Sequence, residues 1–168
     1  MTTELYTFVG MFDRALTTVG HVLERAAEHA RATGTSEAEM LDWRLAPDMF
    51  NLRQQALVVI DFPAQWLARA AGFDVPAATE GEPSLAELQS LIAKSKAFLA
   101  GLKPEQFQGR DEVPLTFNIG VIEPTMPIGQ WVTGFATPNV YFHLSMAYAI
   151  CRHHGVTLGK RDFFAGGL

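Results

Sequence analysis

The stretch PNVYFHLSMAYAICRHHG, residues 138–155, has the features of one complete helix and is the starting point for the fold. Pro138 suits the first helical turn, where its missing N–H would be unpaired in any case, and Gly155 suits a left-handed helix end. At 100° per residue, one face of this helix collects Val140, His143, Leu144, Ala147, Ile150, Cys151 and His154. The pattern predicts a packed helix with His143 aimed inward, followed by a tail that returns to the surface.

Three earlier segments repeat their apolar side chains at the same helical spacing. They cover residues 3–31, 47–71 and 84–101, and a short helical turn is expected over residues 36–41. Ser84 and Glu87 have the spacing of a capping box, which starts a helix. The same spacing recurs at Ser36 and Glu39. The sequence therefore predicts four main helices, counted one to four along the chain.

Between residues 113 and 132 the apolar period changes from helical to alternating. Val113, Leu115 and Phe117 alternate with polar residues or proline, which indicates a β-hairpin or two extended arms. A second extended piece is expected at residues 130–132, with the prolines of this region at edge or loop positions. The order of elements predicts an all-α protein, a four-helix bundle over residues 1–168 that forms a single domain, with a short hairpin before the last helix.

The composition limits the classes of partner. Of the 168 residues, 48% are hydrophobic and 18% are charged, which is enough apolar sequence for a globular core. The net charge is -5 and no basic block alternates with aromatic residues, so we expect neither nucleic acid nor a membrane as partner. Neither a secretory signal nor a membrane-spanning apolar run is recognisable. With Cys151 as the only cysteine, no intramolecular disulfide can form, and we expect a cytoplasmic protein.

Five polar side chains fall on or near the predicted inner faces of the helices: His143, Asp61, Arg53, Gln55 and Ser95. Buried polar groups need partners, so these residues should pair with one another, with backbone or with a ligand. One interpretation is a polar pocket in the bundle core, with His143 as proton donor, proton acceptor or metal ligand. The other is a structural network in which His143 is held by Asp61 or Ser95. Ser95 could also bond its own helix backbone, and Arg53 could lift its charged group to solvent.

Familiar catalytic and metal-binding patterns are missing from the sequence. No phosphate loop, dinucleotide fingerprint, Gly-x-Ser-x-Gly or HExxH occurs. His143 and His154 are eleven residues apart, roughly 16 Å along a helix, so they cannot share one ion. The missing motifs and the histidine spacing therefore predict no metal site and no cofactor. Aromatic residues such as Phe50 and Trp66 are expected in the core.

Several segments carry a resemblance to a known family. They are residues 46–52 (APDMFNL), 55–62, 84–99, 138–150 and 152–162. Together they closely resemble an uncharacterised bacterial and fungal family within the DinB/YfiT-like metalloenzyme superfamily. The resemblance implies an up-down-down-up four-helix bundle, often dimeric. In the wider superfamily one histidine of helix two and two histidines a turn apart on helix four bind a divalent metal, and some members transfer a low-molecular-weight thiol.

This sequence matches the superfamily's metal pattern only at His143. Ala147 stands one turn further along, and the predicted second helix contains no histidine. A zinc or nickel ion, as the resemblance implies, would therefore have His143 as its one histidine ligand. The main hypothesis is a small-molecule binding protein with its site around His143. The alternatives are a metal-dependent thiol transferase and a non-catalytic homodimeric interaction protein, and the sequence leaves open whether a reaction is catalysed.

Overall fold

The computed structural model describes residues 4–167, which fold into a helical bundle with a small antiparallel sheet. The helices are α1 (Thr7–Thr33), α2 (Glu37–Leu41), α3 (Leu52–Ala71), α4 (Leu85–Ala100), α5 (Ile128–Trp131), α6 (Thr137–His153) and α7 (Lys160–Phe163). A 3-10 turn covers Pro104–Phe107, the strands are β1 (Pro114–Thr116) and β2 (Thr125–Pro127), and a π-helical turn covers Val132–Ala136. The four predicted main helices correspond to α1, α3, α4 and α6. The predicted start of the first helix, Thr3, lies outside the described residues.

The directions of the main helices follow from contacts at one end of the bundle. Arg53, in the first turn of α3, pairs with Glu82 just before α4 across 3.4 Å, so α3 and α4 begin at the same end. Trp43, on the segment that connects α1 to α3, has its ring 6.3 Å from that of His29, late in α1. The same ring stacks on His154, the residue after α6, so α1 and α6 both end near Trp43. Both α1 and α3 also contact α4 and α6. The bundle is therefore up-down-down-up, as the resemblance implied.

The predicted start of the second main helix, Pro47, is wrong because a capping box lies further along. The Asn51 side chain accepts a hydrogen bond from the Gln54 N–H at 2.9 Å, and the Gln54 side chain accepts from the Asn51 N–H at 3.0 Å. This reciprocal pair satisfies two otherwise unpaired donors and begins α3 at Leu52. The box predicted at Ser84 is confirmed at the start of α4.

The hairpin is confirmed, but the extended piece predicted at residues 130–132 is helical. β1 and β2 pair antiparallel, with Pro114 opposite Pro127. After β2 the chain enters α5 directly, and the π-helical turn leads without a break into α6. Pro138 has no N–H to donate, and the N–H of Thr137 before it bonds five residues back to the Val132 carbonyl. Continuous helical backbone therefore begins at Ile128, well before Pro138, although α6 itself begins at Thr137.

One packed group, called here the aromatic cluster, joins this region to α3. It consists of Trp66, Phe117, Trp131 and Phe135, whose ring centroids lie 5.0–6.1 Å apart. The Trp131 indole N–H donates to the Leu115 carbonyl at 2.8 Å, which attaches the hairpin to α5. Burial of aromatic area here overrides the strand propensity of the Trp131 segment.

Elsewhere the core combines aliphatic side chains with the buried rings of Phe8, Phe12, Trp43 and Phe107. Cys151 is fully buried, and burial raises the pKa of its thiol to about 12, so it behaves as a small apolar side chain. Among the described helices, none has both the length and the apolar character needed to span a membrane.

Two helix-ending glycines provide a matched test of backbone strain. Gly34 (φ 74°) and Gly72 (φ 78°) are both left-handed, but a methyl group on Gly72 would lie 2.9 Å from the Arg110 guanidinium carbon, whereas one on Gly34 would meet nothing within 4 Å. Arg110 also donates to the Ala70 carbonyl at 2.5 Å. We expect Gly34→Ala to lower the free energy of unfolding by about 1–2 kcal/mol and Gly72→Ala by more, since Arg110 must also move. Urea unfolding of both variants measures the difference, and equal losses would contradict the Arg110 contact.

Candidate functional site

A side-chain hydrogen bond between two main helices joins His143 of α6 to Gln55 of α3. The His143 Nδ1 and the Gln55 Oε1 are 2.7 Å apart. Gln55 is only 2% exposed, and its Nε2 donates to the Phe50 carbonyl at 3.2 Å, so its oxygen is the atom that faces the histidine. Nδ1 therefore carries the proton and donates to Gln55. The tautomer this selects leaves Nε2 with a free lone pair.

Two exposed phenyl rings flank the His143 imidazole. The Phe50 ring lies 6.0 Å away at 23°, and the Phe142 ring 5.2 Å away at 86°. These rings are 49% and 54% exposed, so the prediction that Phe50 lies in the core is wrong. The reason is that the Asn51 capping box leaves Phe50 outside α3, on the connecting loop.

His143 itself is half-buried, and its second ring nitrogen reaches solvent. Nε2 has no hydrogen-bond partner among residues 4–167, yet it is not enclosed, because the one buried unpartnered side-chain nitrogen or oxygen there is Nε of Arg53. The buried stripe of α6 consists of Val140, Leu144, Ala147, Ile150 and Cys151. His143 stands at the edge of that stripe, so the site opens at the surface between α3 and α6 instead of lying inside the core.

The protonation state of His143 follows from its surroundings. Burial lowers the pKa of His143 below its ordinary value, because the imidazolium would lose part of its hydration. The histidine is therefore neutral at pH 7. A neutral ring held by one nitrogen presents the other as a proton acceptor.

Asp61 and Ser95 lie apart from His143. The two Asp61 carboxylate oxygens accept from the Thr79 N–H at 2.8 Å and the Thr79 hydroxyl at 2.9 Å. The Ser95 hydroxyl donates to the Ile60 carbonyl at 3.0 Å, a bond to α3 and not to its own helix. Both residues line a separate cavity of about 130 Å³ between α3 and α4. The interpretation in which either residue holds His143 is therefore wrong, since Gln55 does so.

Arg53 occupies a third place, at the end of the bundle where α3 and α4 begin. Its Nη1 lies 3.3 Å from an Asp42 oxygen and 3.4 Å from a Glu82 oxygen. The residue is 7% exposed, so it does not lift its charged group into solvent as the sequence allowed. The two ion pairs tie the loops before α3 and α4 to the bundle. Of the five candidate residues, only His143 and Gln55 meet directly.

The donors around His143 do not fit the superfamily's metal. In the described part of the chain, no three or more His, Cys, Asp or Glu side chains converge as a metal site would require. Ala147, one turn beyond His143, is buried and offers no donor. The nearest α3 group is the amide of Gln55, which is already engaged by its oxygen and nitrogen. His154 stacks on Trp43 at 4.4 Å and so packs the bundle end.

Sequence reasoning overlooked the two phenyl rings as parts of the site. Phe142 directly precedes the histidine and could have been found from helix geometry, since its position points away from the apolar stripe. Phe50 could have been found only by recognising the Asn51–Gln54 capping box, because that box decides that the residue before it lies on a loop.

Comparisons with known proteins agree with this architecture. A family model described as "Domain of unknown function (DUF1993)" matches residues 5–164. A crystal structure of a DinB family member protein from Shewanella denitrificans is similar over 93% of this chain and 88% of that chain, with 29% sequence identity and a TM-score of 0.85. No curated protein matches the sequence. The resemblance to an uncharacterised DinB-like family and the four-helix fold are thereby confirmed.

Proposed function

The chain belongs to the DUF1993 family of domains of unknown function, and from that membership and the geometry around His143 we propose that it binds a small molecule through the His143 Nε2. The observation that carries the proposal is a neutral imidazole whose Nδ1–H is held by Gln55 at 2.7 Å while Nε2 reaches solvent between two phenyl rings. A histidine oriented by one nitrogen and open at the other is suited to accept a proton or a hydrogen bond.

The site's chemistry indicates a class of ligand. Because Nε2 accepts, the ligand should offer a donor such as a thiol, a hydroxyl or an aromatic N–H. The exposed rings of Phe50 and Phe142 favour an apolar or aromatic body beside that donor. Metal-dependent thiol transfer gains no support from the donors present. Homodimerisation and a cytoplasmic location stay predictions.

The test uses two probes, 2-naphthol and N-acetylcysteine methyl ester, titrated into ¹⁵N-labelled protein and followed by NMR. We expect saturable shifts at the amides around Gln55 and His143. His143→Ala should weaken binding at least tenfold because the acceptor is lost. The matched control is His153→Ala, which removes an exposed histidine of the same helix and should leave the affinity unchanged.

Two results would count against the proposal. One is equal affinity of the wild type and His143→Ala for a probe that binds. The other is a wild-type protein that shows no saturable shift at these amides with either probe, while His143→Ala loses its fold, since the histidine would then serve only the structure.

The stability of the protein should depend on the protonation of His143. Because its folded pKa lies below the ordinary value of about 6.5, the unfolded chain takes up this proton first as the pH falls. The stability is therefore full above about pH 6.5 and declines as the pH falls through the folded pKa. We expect wild type to lose more stability than His143→Gln between pH 7.5 and 5.5 in urea unfolding. A loss that is equal in both proteins would show that His143 does not titrate in this way.

A further inference from the structure

We propose that the cavity between α3 and α4 is a second small-molecule site, independent of His143, for a compact neutral molecule with one hydroxyl or N–H donor. The cavity has a volume of about 130 Å³. Its walls come from the middle of both helices, and its roof is the loop that connects them, with Pro76, Ala77 and Thr79. Neither His143 nor Gln55 is among the residues that line it.

The walls determine the body of the ligand. They are mostly apolar, with Ile60 and Ala64 from α3 facing Leu91 and Phe98 from α4. A cavity of roughly 150 Å³ with similar walls accommodates a benzene ring. The present volume of about 130 Å³ therefore suits a single six-membered ring with one small substituent.

The polar groups determine the ligand's functional group. Ser95 is 6% exposed, and its hydroxyl hydrogen is already donated to the Ile60 carbonyl, so toward the cavity it offers only lone pairs. The Asp61 carboxylate also lines the cavity and offers only acceptor oxygens. Two acceptors favour a ligand with a donor. A carboxylate ligand would be repelled by Asp61, although the exposed ammonium of Lys94 at the rim would attract it.

The roof gives the site a defined boundary and an entry. Thr79 fastens the connecting loop to α3 through its two hydrogen bonds to Asp61, at 2.8 and 2.9 Å. The neighbouring Pro76 and Ala77 are exposed on their outer side. The cavity is partly open to solvent beside this loop, so a ligand can enter without displacing it, and Asp61 holds the loop in place.

Phenol is the probe that tests the proposal. It has the predicted size, one ring and one donor. In an ¹⁵N NMR titration we expect saturable shifts at the amides of Ala64, Ala77, Thr79 and Ser95. Shifts at the amides of Gln55 and His143 would report the first site and should disappear in His143→Ala. Benzoate should bind at least tenfold more weakly, because it has no donor for the Ser95 and Asp61 oxygens and Asp61 repels its charge. His143→Ala should bind phenol like wild type, which separates this site from the one proposed above.

Two variants decide whether phenol occupies the cavity. Ala64→Leu fills the volume and should weaken phenol binding at least tenfold, with the fold checked by circular dichroism. Ser95→Ala keeps the volume and removes an acceptor, so it should weaken phenol at least threefold and leave toluene binding unchanged. The proposal is overturned if the phenol shifts do not saturate or are scattered over the surface. It is also overturned if folded Ala64→Leu binds phenol like wild type, or if Ser95→Ala weakens phenol and toluene equally or neither.

Discussion

Replacement of Trp66 by alanine is expected to lower the free energy of unfolding by about 3–5 kcal/mol, among the largest effects of any single truncation in the bundle. Trp66 is fully buried and lies 5.0 Å from the Phe117 ring, 5.7 Å from Trp131 and 5.6 Å from Phe135. It also supports the Arg69 guanidinium, 5.1 Å from its ring centroid. The loss of this side chain leaves a cavity that four neighbours cannot all fill.

Urea unfolding by circular dichroism measures the effect, and Trp66→Phe is the control that keeps an aromatic ring in place. Hydrogen exchange adds a local readout, because the hairpin and the π-helical turn are attached to α3 through the aromatic cluster. Their amides should lose protection in Trp66→Ala by more than the amides at the opposite end of α3. A loss of stability below about 1 kcal/mol would mean that the cluster repacks, and would contradict its role in anchoring the hairpin.

Trp43→Ala should have a comparable effect, about 3–5 kcal/mol, at the other end of the bundle. The Trp43 ring stacks on His154 with a centroid distance of 4.4 Å and an interplanar angle of 4°, and His29 approaches it edge-on at 6.3 Å. Its backbone carbonyl accepts from the Leu52 N–H at 2.7 Å, at the first residue of α3. Trp43 thus joins α1, α3 and α6 at this end of the bundle.

The control at this position is Trp43→Phe, which keeps a ring on His154 and should lose less than half as much stability. Urea unfolding followed by circular dichroism gives the magnitudes. The part of the wild-type fluorescence change on unfolding that is missing in Trp43→Phe is the contribution of Trp43 itself. If Trp43→Ala is as stable as Trp43→Phe, the stacked pair contributes nothing beyond covering the surface.

Much of the fold could be predicted because helix starts, helix ends and strand alternation depend on residues that are close together in the sequence. Ser84 with Glu87 specifies a helix start within four residues, and a left-handed glycine such as Gly72 ends one. The alternation around Leu115 correctly indicated a strand of the hairpin. Where prediction failed, at residues 130–132, long-range packing of Trp131 against Trp66 outweighed local propensity.

The candidate site was less predictable, because five polar residues on inner faces can meet in many ways. A small rotation of a helix is enough to move His143 from the core to its edge, where it is found. The partner of His143 was also not decided by charge or spacing. The Gln55 amide is oriented toward His143 because its nitrogen donates to the Phe50 carbonyl. The position of that carbonyl is set by the loop before α3.

By itself, the sequence determined the four main helices, the hairpin before the last of them and the lack of a histidine metal triad, since these depend on residue type and short spacing. Only the tertiary structure decided that the five polar candidates lie in three separate places. It also decided that His143 is open at Nε2 and that Asp61 and Ser95 border a cavity of their own. The physical reason is that the position of a side chain relative to another helix depends on the packing of the whole core, which apolar residues dominate. Polar side chains then find partners wherever that packing leaves them.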